Sequence, residues 1–392
     1  MKRVSQRLAR IPASATMAIS TRARELRAAG RDVISFGAGE PDFPTPEHIV
    51  AAATAAAHDP ANHKYSANPG LAPVREAVAK YTAEYSGVTV DASAVVITNG
   101  AKQAVFETFS ALVDPGDEVL LPAPYWVTYP AGIELFDGIP VPVTSTVESG
   151  FKVTVEDLED ARTDKTKALV FVSPSNPTGA VYTSGEARAI GEWARDNDVW
   201  VIADEIYQRL FYGGDVAPSI VAETPRLENW VIINGVAKSF AMTGWRVGWM
   251  IGPSDVVGAA VRLQSHATSN VANITQMAAL AAITGPQDTV VEMREAFAAR
   301  RRLMHSMVSD IPGFECLEPD GAFYVFPDVS AVLGGKYGTS ADLAEAIIDE
   351  AGVAVVPGEA FGAPGFLRLS YALGEEEISE GLTRIRGLIE SL

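Results

Sequence analysis

The sequence is poor in cysteine and histidine. It contains one cysteine, Cys316, and five histidines in 392 residues. A single cysteine excludes an internal disulfide, and neither residue type shows the spacing of a metal site. Because disulfides are rare in reducing compartments, the scarcity of cysteine leads us to expect a cytoplasmic protein that binds no metal.

The sequence also lacks long apolar runs and an excess of basic residues. No stretch approaches the ~18 apolar residues of a membrane helix, and the basic residues at positions 2 and 3 precede no apolar signal core. Lys and Arg total 31 against 49 Asp and Glu, which gives a net charge of -18. Such a surface repels nucleic-acid phosphates and anionic lipids, so we expect no nucleic-acid or membrane partner.

The remaining composition is that of a packed globular protein, with 47% hydrophobic and 20% charged residues. Apolar runs of strand length alternate with helical patterns in the middle of the chain. The runs cover 95–98, 118–121, 168–172, 199–203 and 230–233, and two of the helical patterns cover 101–112 and 184–197. Continuous apolar strands separated by helices predict an α/β fold, a mainly parallel sheet covered by helices on both faces.

The C-terminal third follows a different pattern. A charged helix near 290–307 precedes a strand-like segment 322–326, a helix at 341–351, and strand-like segments 353–356 and 366–371. These elements predict a smaller α+β unit, on which an N-terminal helix at 16–29 would pack. We therefore expect a large domain of residues 46–287 and a small domain built from residues 1–45 and 288–392.

Polar side chains follow the strands of the predicted sheet. They are a carboxylate, an amine, a guanidinium, an amide and a helix start opened by glycine: Asp204, Lys238, Arg246, Asn176 and the segment 100–102. The carboxyl ends of parallel strands lie at one edge of a sheet, and ligands of such sheets bind there. We therefore expect one binding site that contains all of these groups.

Pyridoxal phosphate matches this set of groups. A helix start with small residues can bind a phosphate through backbone N–H groups, and Arg246 can add a forked contact. Asp204 can keep a ring nitrogen protonated, and Trp126 can stack on a planar ring. Lys238 can form an imine with an aldehyde. An aldehyde, a pyridinium ring and a phosphate together describe this cofactor.

Each of these residues also has a structural interpretation. Asp204 can cap a helix, Lys238 can be a solvated surface lysine, and Arg246 can pair with an internal acid. Trp126 can be a core residue, and Asn176 precedes a proline, as in many turns. Neither GxGxxG nor GxxxxGK[ST] is present, so the sequence supports no dinucleotide or P-loop site.

Two further segments also have two interpretations each. Arg368 lies between Leu367 and Leu369, so strand alternation places it on the opposite face. It is either a charge on an edge strand or a clamp for a substrate carboxylate. Gly39 follows the strand-like run 33–36, where glycine permits a tight turn or the close approach of backbone to a ligand.

Together, these residues resemble the fold-type I, class I aminotransferases that depend on pyridoxal phosphate, and among them the bacterial aspartate aminotransferases of subgroup Ib. The resemblance spans almost the whole chain. It is carried by the segments 39–43, 64–65, 99–104, 123–127, 175–179, 204–207, 237–246 and 368–370. The roles that follow are implied by this resemblance.

For the cofactor ring, the resemblance implies five contacts. Lys238 would bind the cofactor covalently and would move the proton of the substrate's α carbon. Asp204 would pair with the pyridinium nitrogen, and Trp126 would stack on the ring. Asn176 and Tyr207 would hydrogen-bond the ring hydroxyl oxygen.

For the cofactor phosphate, the resemblance implies a site at a helix start. Gly100, Ala101 and Lys102 would open the phosphate-binding helix, and Arg246 would contact the phosphate. Tyr65 would reach the phosphate of the neighbouring subunit. The enzyme would therefore be a homodimer whose active sites are shared between subunits.

For the substrate, the resemblance implies two groups of contacts. The residues near the α-carboxylate would be Arg368, Asn176, Trp126 and the backbone of Gly39. The residues near the distal carboxylate of aspartate or glutamate would be Lys102, Ser14 and Thr16. Ser14 fits a simple helix cap nearly as well.

The function implied is transfer of the amino group of aspartate to 2-oxoglutarate, by a ping-pong mechanism through pyridoxamine phosphate. Aminotransferases of related specificity stay open: glutamate or aspartate with prephenate, aromatic substrates, or alanine. A non-catalytic sensor that binds pyridoxal phosphate is a further alternative, which the intact lysine disfavours.

Overall fold

The structure is a computed structural model that describes residues 4–12 and 15–392. Its strands, in chain order, are β1 Ile34–Ser35, β2 Val95–Thr98, β3 Glu118–Ala123, β4 Ile139–Thr144, β5 Thr166–Val172, β6 Trp200–Asp204, β7 Trp230–Gly235, β8 Gly248–Ile251, β9 Tyr324–Val325, β10 Val353–Ala354, β11 Val356–Pro357 and β12 Leu367–Ser370.

The helices, in the same order, are α1 Gln6–Ala9, α2 Ala15–Ala28, α3 Glu47–His58, α4 Ala72–Tyr85, α5 Ala101–Leu112, α6 Thr128–Leu135, α7 Val155–Ala161, α8 Ser184–Asp196, α9 Ile220–Glu223, α10 Ser254–Ala267, α11 Asn273–Thr284, α12 Asp288–Ser309, α13 Ser340–Ala346 and α14 Glu375–Glu390. Among the residues described, no helix combines the length and the apolar character needed to cross a membrane.

Within the described part of the chain, seven strands form the largest sheet, in the order β2-β8-β7-β6-β5-β3-β4. The strands from β7 to β4 pair in parallel, and β8 runs antiparallel to both of its neighbours. The predicted mainly parallel sheet is therefore confirmed. The apolar runs did not reveal β4 and β8. β4 lies at the edge of the sheet, where its residues Pro140 and Pro142 are tolerated although they interrupt the apolar pattern.

Alternate residues of the central strands pack on opposite faces of the sheet. Leu169 and Val201 belong to a hydrophobic cluster with α3, α4, α8 and α11, whereas Val170 and Ile202 belong to a cluster with α5, α6 and α10. All four side chains are at most 1% exposed. Because helices bury both faces, successive residues in the middle of these strands are apolar and appear in the sequence as continuous apolar runs.

The smaller strands form a separate α+β unit. β1 pairs in parallel with β10, and β11, β12 and β9 form an antiparallel sheet. Ile34 and Phe36, from the start of the chain, share one hydrophobic cluster with residues of α12, α13 and α14. An α+β unit built from both chain ends is confirmed, while the domain bounds at 45/46 and 287/288 stay a prediction.

Individual elements of this unit differ from the prediction. The strand predicted at 353–356 consists of β10 and β11, which pair with different partners. The helix predicted at 341–351 consists of α13 and a π-helical turn, Ile347–Ala351. β12 lies between β11 and β9, so the interpretation of Arg368 as an edge-strand charge is wrong. The differences at β10, β11 and β12 arise from pairing with other segments of the chain, which local patterns do not contain.

Candidate active site

A cavity of about 790 Å³ lies at the carboxyl ends of the central parallel strands. Its lining includes most of the residues predicted for the site: Thr16, Gly39, Ala101, Lys102, Trp126, Asn176, Asp204, Tyr207, Lys238, Arg246 and Arg368. Gly100 and Tyr65 are not part of the lining, and Ser14 lies outside the described residues. The fold thus brings the strand ends of the central sheet together with a residue of β12.

Asp204 is the last residue of β6 and is 3% exposed. Its Oδ2 accepts a hydrogen bond from Tyr129 Oη at 2.8 Å, and its Oδ1 accepts one from the backbone N–H of Ile206 at 3.1 Å. Burial raises the pKa of Asp204 to about 6, against the opposing effect of these hydrogen bonds. A turn, not a helix, follows, so the helix-cap interpretation is wrong. A buried carboxyl at this position suits a cationic ring nitrogen.

Lys238 follows β7 and is partly buried, so it is not a solvated surface lysine. Its Nζ donates a hydrogen bond to the backbone oxygen of Gly39. The same atom lies 5.7 Å from the ring centroids of Tyr207 and Phe323. Burial lowers the pKa of Lys238 to about 8, although the nearby Glu40 carboxylate acts in the opposite direction. A lysine with a lowered pKa is a better nucleophile near neutral pH.

The start of α5 and Arg246 form one edge of the cavity. Gly100 precedes the helix with φ +79°, and a Cβ on it would lie 2.6 Å from Arg246 Nη2. Glycine at this position therefore lets the guanidinium approach the N–H groups of the helix start. Arg246 donates through Nη1 to Thr243 O at 2.9 Å and through Nη2 to Asn99 O at 3.1 Å. Its side chain is exposed, and the ion pairs of the described residues include none with it.

Trp126 and Lys102 stand beside this edge. Trp126 is half-buried and packs edge-on against Tyr129, with ring centroids 5.4 Å apart. Lys102 Nζ lies 4.7 Å from the centroid of the Trp126 ring. Burial, and next the positive charge of Arg246, lower the pKa of Lys102. Two neighbouring cations with a helix start form an anion site, and the fold therefore fits a phosphate there.

Tyr207 shares a hydrogen bond with Tyr324, and the two hydroxyl oxygens are 2.9 Å apart. Burial raises the pKa of Tyr207 well above its ordinary value, so its hydroxyl stays protonated and can act as a donor. Tyr324 also limits the space beside Gly39, because its Oη would lie 3.2 Å from a Cβ at that position. The glycine therefore leaves its backbone accessible to the cavity.

Arg368 is 2% exposed and has no carboxylate partner in the described part of the chain. It donates through Nη1 to Asn176 Oδ1 at 2.9 Å and through Nη2 to Gly37 O at 3.0 Å. Its Cζ lies 4.4 Å from the ring centroid of Tyr324, and its Nε has no hydrogen-bond partner. A buried guanidinium with an unused donor is costly unless an anion binds it. The arrangement fits a carboxylate ligand.

Three residues of the site escaped the sequence analysis. Tyr129 supports Asp204, and Tyr324 joins Tyr207 to the aromatic face of Arg368. Arg24 of α2 also lines the cavity. No motif marks these residues, because their positions depend on how α6 packs beside the central sheet and on where β9 and α2 lie in the smaller unit.

Comparison with known proteins identifies the class. The model of the family "Aminotransferase class I and II" matches residues 31–385, and the chain belongs to this family. Members of the family depend on pyridoxal 5'-phosphate, and this protein is a pyridoxal-phosphate-dependent transaminase. The groups on the cavity wall fit this cofactor: a lysine with a lowered pKa, a buried carboxyl, a half-buried aromatic ring, and a helix start beside an arginine.

Individual relatives resemble the chain over its full length. It is 54% identical to an aspartate aminotransferase of Streptomyces avermitilis, over 99% of this chain and 97% of that protein. It is 43% identical to a probable aspartate/prephenate aminotransferase of Aquifex aeolicus, over 100% of both chains. The crystal structure of the aspartate aminotransferase from Rhizobium meliloti superimposes with a TM-score of 0.95 at 37% identity, covering 100% of this chain and 99% of that chain.

Proposed function

We propose that this transaminase transfers the amino group of aspartate to 2-oxoglutarate by a ping-pong mechanism. The observation that carries the proposal is the buried guanidinium of Arg368, which has no carboxylate partner among the described residues and faces the same cavity as Lys102. Two cations on one cavity suit a substrate with two carboxylates. The names of the relatives from Streptomyces avermitilis and Rhizobium meliloti support the same specificity.

Pyridoxal phosphate, when bound, supplies an aldehyde and a ring that withdraws electrons from the substrate's α carbon. The residues proposed to hold it are Lys238, Asp204, Tyr207, Asn176, Trp126, Gly100, Ala101, Lys102 and Arg246. The carboxylate of Asp204, oriented by Tyr129, would keep the ring nitrogen protonated.

Lys238 is proposed as the catalytic residue. With a pKa of about 8, about a tenth of its Nζ is unprotonated at pH 7, far more than for a lysine with its ordinary pKa. Unprotonated Nζ can accept the proton from the substrate's α carbon and return it in the reverse step. The hydrogen bond to Gly39 O keeps this atom at the cavity wall.

Substrate orientation is proposed to come from two sets of contacts. Arg368, Asn176 and the backbone of Gly39 would hold the α-carboxylate, with Trp126 alongside. Lys102 and Thr16 line the cavity and would hold the distal carboxylate, together with Ser14. This contact with a second carboxylate would separate aspartate from monocarboxylic amino acids such as alanine.

We also propose a cytoplasmic homodimer. Tyr65 is 92% exposed, an unusual degree for a tyrosine of a folded chain, and this supports its proposed contact with the cofactor phosphate of a neighbouring subunit. The proposed domain bounds, 46–287 against 1–45 with 288–392, are supported by the common hydrophobic cluster of both chain ends. Size-exclusion chromatography with light scattering tests the dimer directly.

Two half-reactions test the proposed activity. Aspartate added to the purified holoenzyme should change the absorbance of the cofactor, and 2-oxoglutarate should restore it, with oxaloacetate and glutamate formed in equal amounts. A spectrum that changes without product would indicate a sensor. Equal or better use of prephenate as acceptor would indicate the specificity named for the Aquifex aeolicus relative.

A further inference from the structure

The charge of the cavity is opposite in sign to that of the chain. The chain carries a net charge of -18. The cavity lining has six basic residues and three acidic ones: Arg24, Arg27, Lys102, Lys238, Arg246 and Arg368 against Glu40, Asp204 and Glu377. A positive lining in an otherwise acidic protein attracts anions to this one region.

Most of the lining cations have a proposed role in binding the cofactor or the substrate. Arg24 and Arg27 of α2 do not. Arg27 donates from Nε to Val33 O at 2.8 Å, which ties its side chain to the backbone near the end of the helix. Among residues 4–12 and 15–392, the hydrogen bonds of Arg24 include only one, to Thr21 Oγ1 at 3.2 Å, and the ion pairs include none with Arg24. Its charge is therefore available to a ligand.

The position of Arg24 excludes contact with the bound substrate. The lining residues of α2 are spaced as one helical face: Thr16, Met17, Ser20, Ala23, Arg24 and Arg27. With a rise of 1.5 Å per residue, Arg24 lies about 12 Å along the axis from Thr16. Thr16 is one of the residues proposed to hold the distal carboxylate, and neither aspartate, with four carbons, nor 2-oxoglutarate, with five, spans this additional length. Arg24 is exposed and lies toward the end of this face.

We propose that Arg24 steers anionic substrates into the cavity without contacting them once they are bound. The inference rests on the proposed dicarboxylate transaminase activity. A distance of about 12 Å is about one and a half Debye lengths at physiological salt and less than half of one at about 10 mM salt, so the effect of this charge depends strongly on ionic strength. The attraction also grows with substrate charge, so it favours 2-oxoglutarate, which carries two negative charges, over monocarboxylates such as pyruvate.

Arg22 provides a matched control on the same helix. It is also exposed, but its Nη2 pairs with Asp349 Oδ1 at 3.4 Å, and it does not line the cavity. Loss of either arginine changes the net charge of the protein by the same amount. A kinetic difference between Arg24→Gln and Arg22→Gln therefore depends on where the lost charge lay, and not on the net charge of the protein.

The test measures kcat and kcat/KM for 2-oxoglutarate in the holoenzyme, with aspartate as donor, between about 10 mM and 500 mM salt. We expect Arg24→Gln to lower kcat/KM about twofold to fivefold at the lowest salt, to match the unsubstituted enzyme at the highest, and to leave kcat unchanged. Arg22→Gln should follow the unsubstituted enzyme throughout.

Equal salt dependence in Arg24→Gln and the unsubstituted enzyme would overturn the inference. So would a loss that persists at 500 mM salt or appears in kcat, since it would indicate a contact or a structural role. An unsubstituted holoenzyme that does not transaminate aspartate would instead refute the proposed function, and the inference with it.

Discussion

The site has a buried floor and an exposed rim. The floor consists of Asp204, Tyr207 and Arg368, which are 3%, 4% and 2% exposed. The rim consists of Arg24, Lys102 and Arg246, whose residues are all exposed. Both regions face one cavity and both carry charge. On the rim, Arg24 belongs to α2 and Lys102 to α5, and Arg246 lies near the start of α5.

The two regions differ in what it costs to keep their charges. Burial raises the pKa of Asp204 and lowers that of Arg368, which means that the charged form of each is disfavoured until a ligand compensates it. On the rim, Arg24 and Arg246 remain hydrated and their charges cost little, whereas Lys102 is partly desolvated and its pKa is lowered. Substitutions in the floor should therefore remove function nearly completely at any salt concentration. Substitutions in the rim should have smaller effects that depend on salt.

The largest expected effect belongs to Lys238, whose exposure is intermediate between that of the floor and that of the rim. Lys238→Ala removes the proposed nucleophile and proton acceptor, and we expect kcat to fall by about 10⁴-fold or more. Lys102→Ala, in another lysine of the same cavity, serves as the control and should retain far more activity. Turnover of Lys238→Ala within tenfold of the unsubstituted enzyme would contradict the assignment.

The next effect tests the floor. Arg368→Ala leaves the α-carboxylate without its buried partner. We expect kcat/KM to fall for aspartate and alanine alike, by an amount that corresponds to a loss of about 2–5 kcal/mol of transition-state stabilisation. Arg368→Lys keeps the charge but not the forked geometry, so it should recover part of the loss. Unchanged kinetic constants in both variants would remove Arg368 from the site.

A smaller effect tests the rim. Lys102→Gln should lower kcat/KM for aspartate by about tenfold, because one exposed cation of the distal-carboxylate site is lost. Alanine has no second carboxylate, so kcat/KM for alanine should stay nearly the same. The loss in kcat/KM for aspartate should be smaller at high salt. An equal loss for both amino acids would show that Lys102 acts on the cofactor alone.

The smallest effect concerns a buried carboxyl that does not belong to the lining of the active-site cavity. Glu107 of α5 is 1% exposed and accepts a hydrogen bond from Gln103 Nε2 at 2.7 Å through Oε1, while its Oε2 has no hydrogen-bond partner among the residues that the structure describes. Burial raises its pKa to about 7. Between pH 4.5 and 7 the folded state then binds a proton that the unfolded state does not, so this group lowers stability as the pH rises.

Glu107→Gln removes this titration while keeping the shape and the hydrogen-bond acceptor. We expect the difference in Tm, variant minus unsubstituted protein, to increase by about 2–4 °C as the pH is raised from 5 to 8. The kcat of the variant should be unchanged. A difference in Tm that stays constant over this range would mean that Glu107 titrates in the folded protein as it does in water.

The strands of the central sheet could be predicted because their signal is local. β2, β5 and β7 are buried on both faces, so each contains an unbroken apolar run, at 95–97, 168–172 and 230–233, with polar residues only at the strand ends. α5 was predicted with its observed bounds for the same kind of reason, since Gly100 marks its start. β10 and β11 could not be separated in advance, because the division depends on pairing with segments about 320 and 10 residues away, Ile34–Ser35 and Leu367–Ser370.

The site was predictable to the extent that its chemistry restricts the residue type. Only a lysine serves as the amine, and a carboxylate beside a ring nitrogen is Asp or Glu, so Lys238 and Asp204 stand out at strand ends. Tyr129, Tyr324 and Arg24 could not be found in this way, since many residue types occur at such positions.

The local patterns and motifs of the amino-acid sequence were enough to establish the α/β class, the family and the kinds of chemical group at the site. Packing of distant segments established which of those groups are buried, which pair with one another, and how far their pKa values move. Hydrophobic periodicity is a property of neighbouring residues, whereas desolvation and Coulomb interactions depend on distances in space. For this reason the division between floor and rim emerges from the folded molecule.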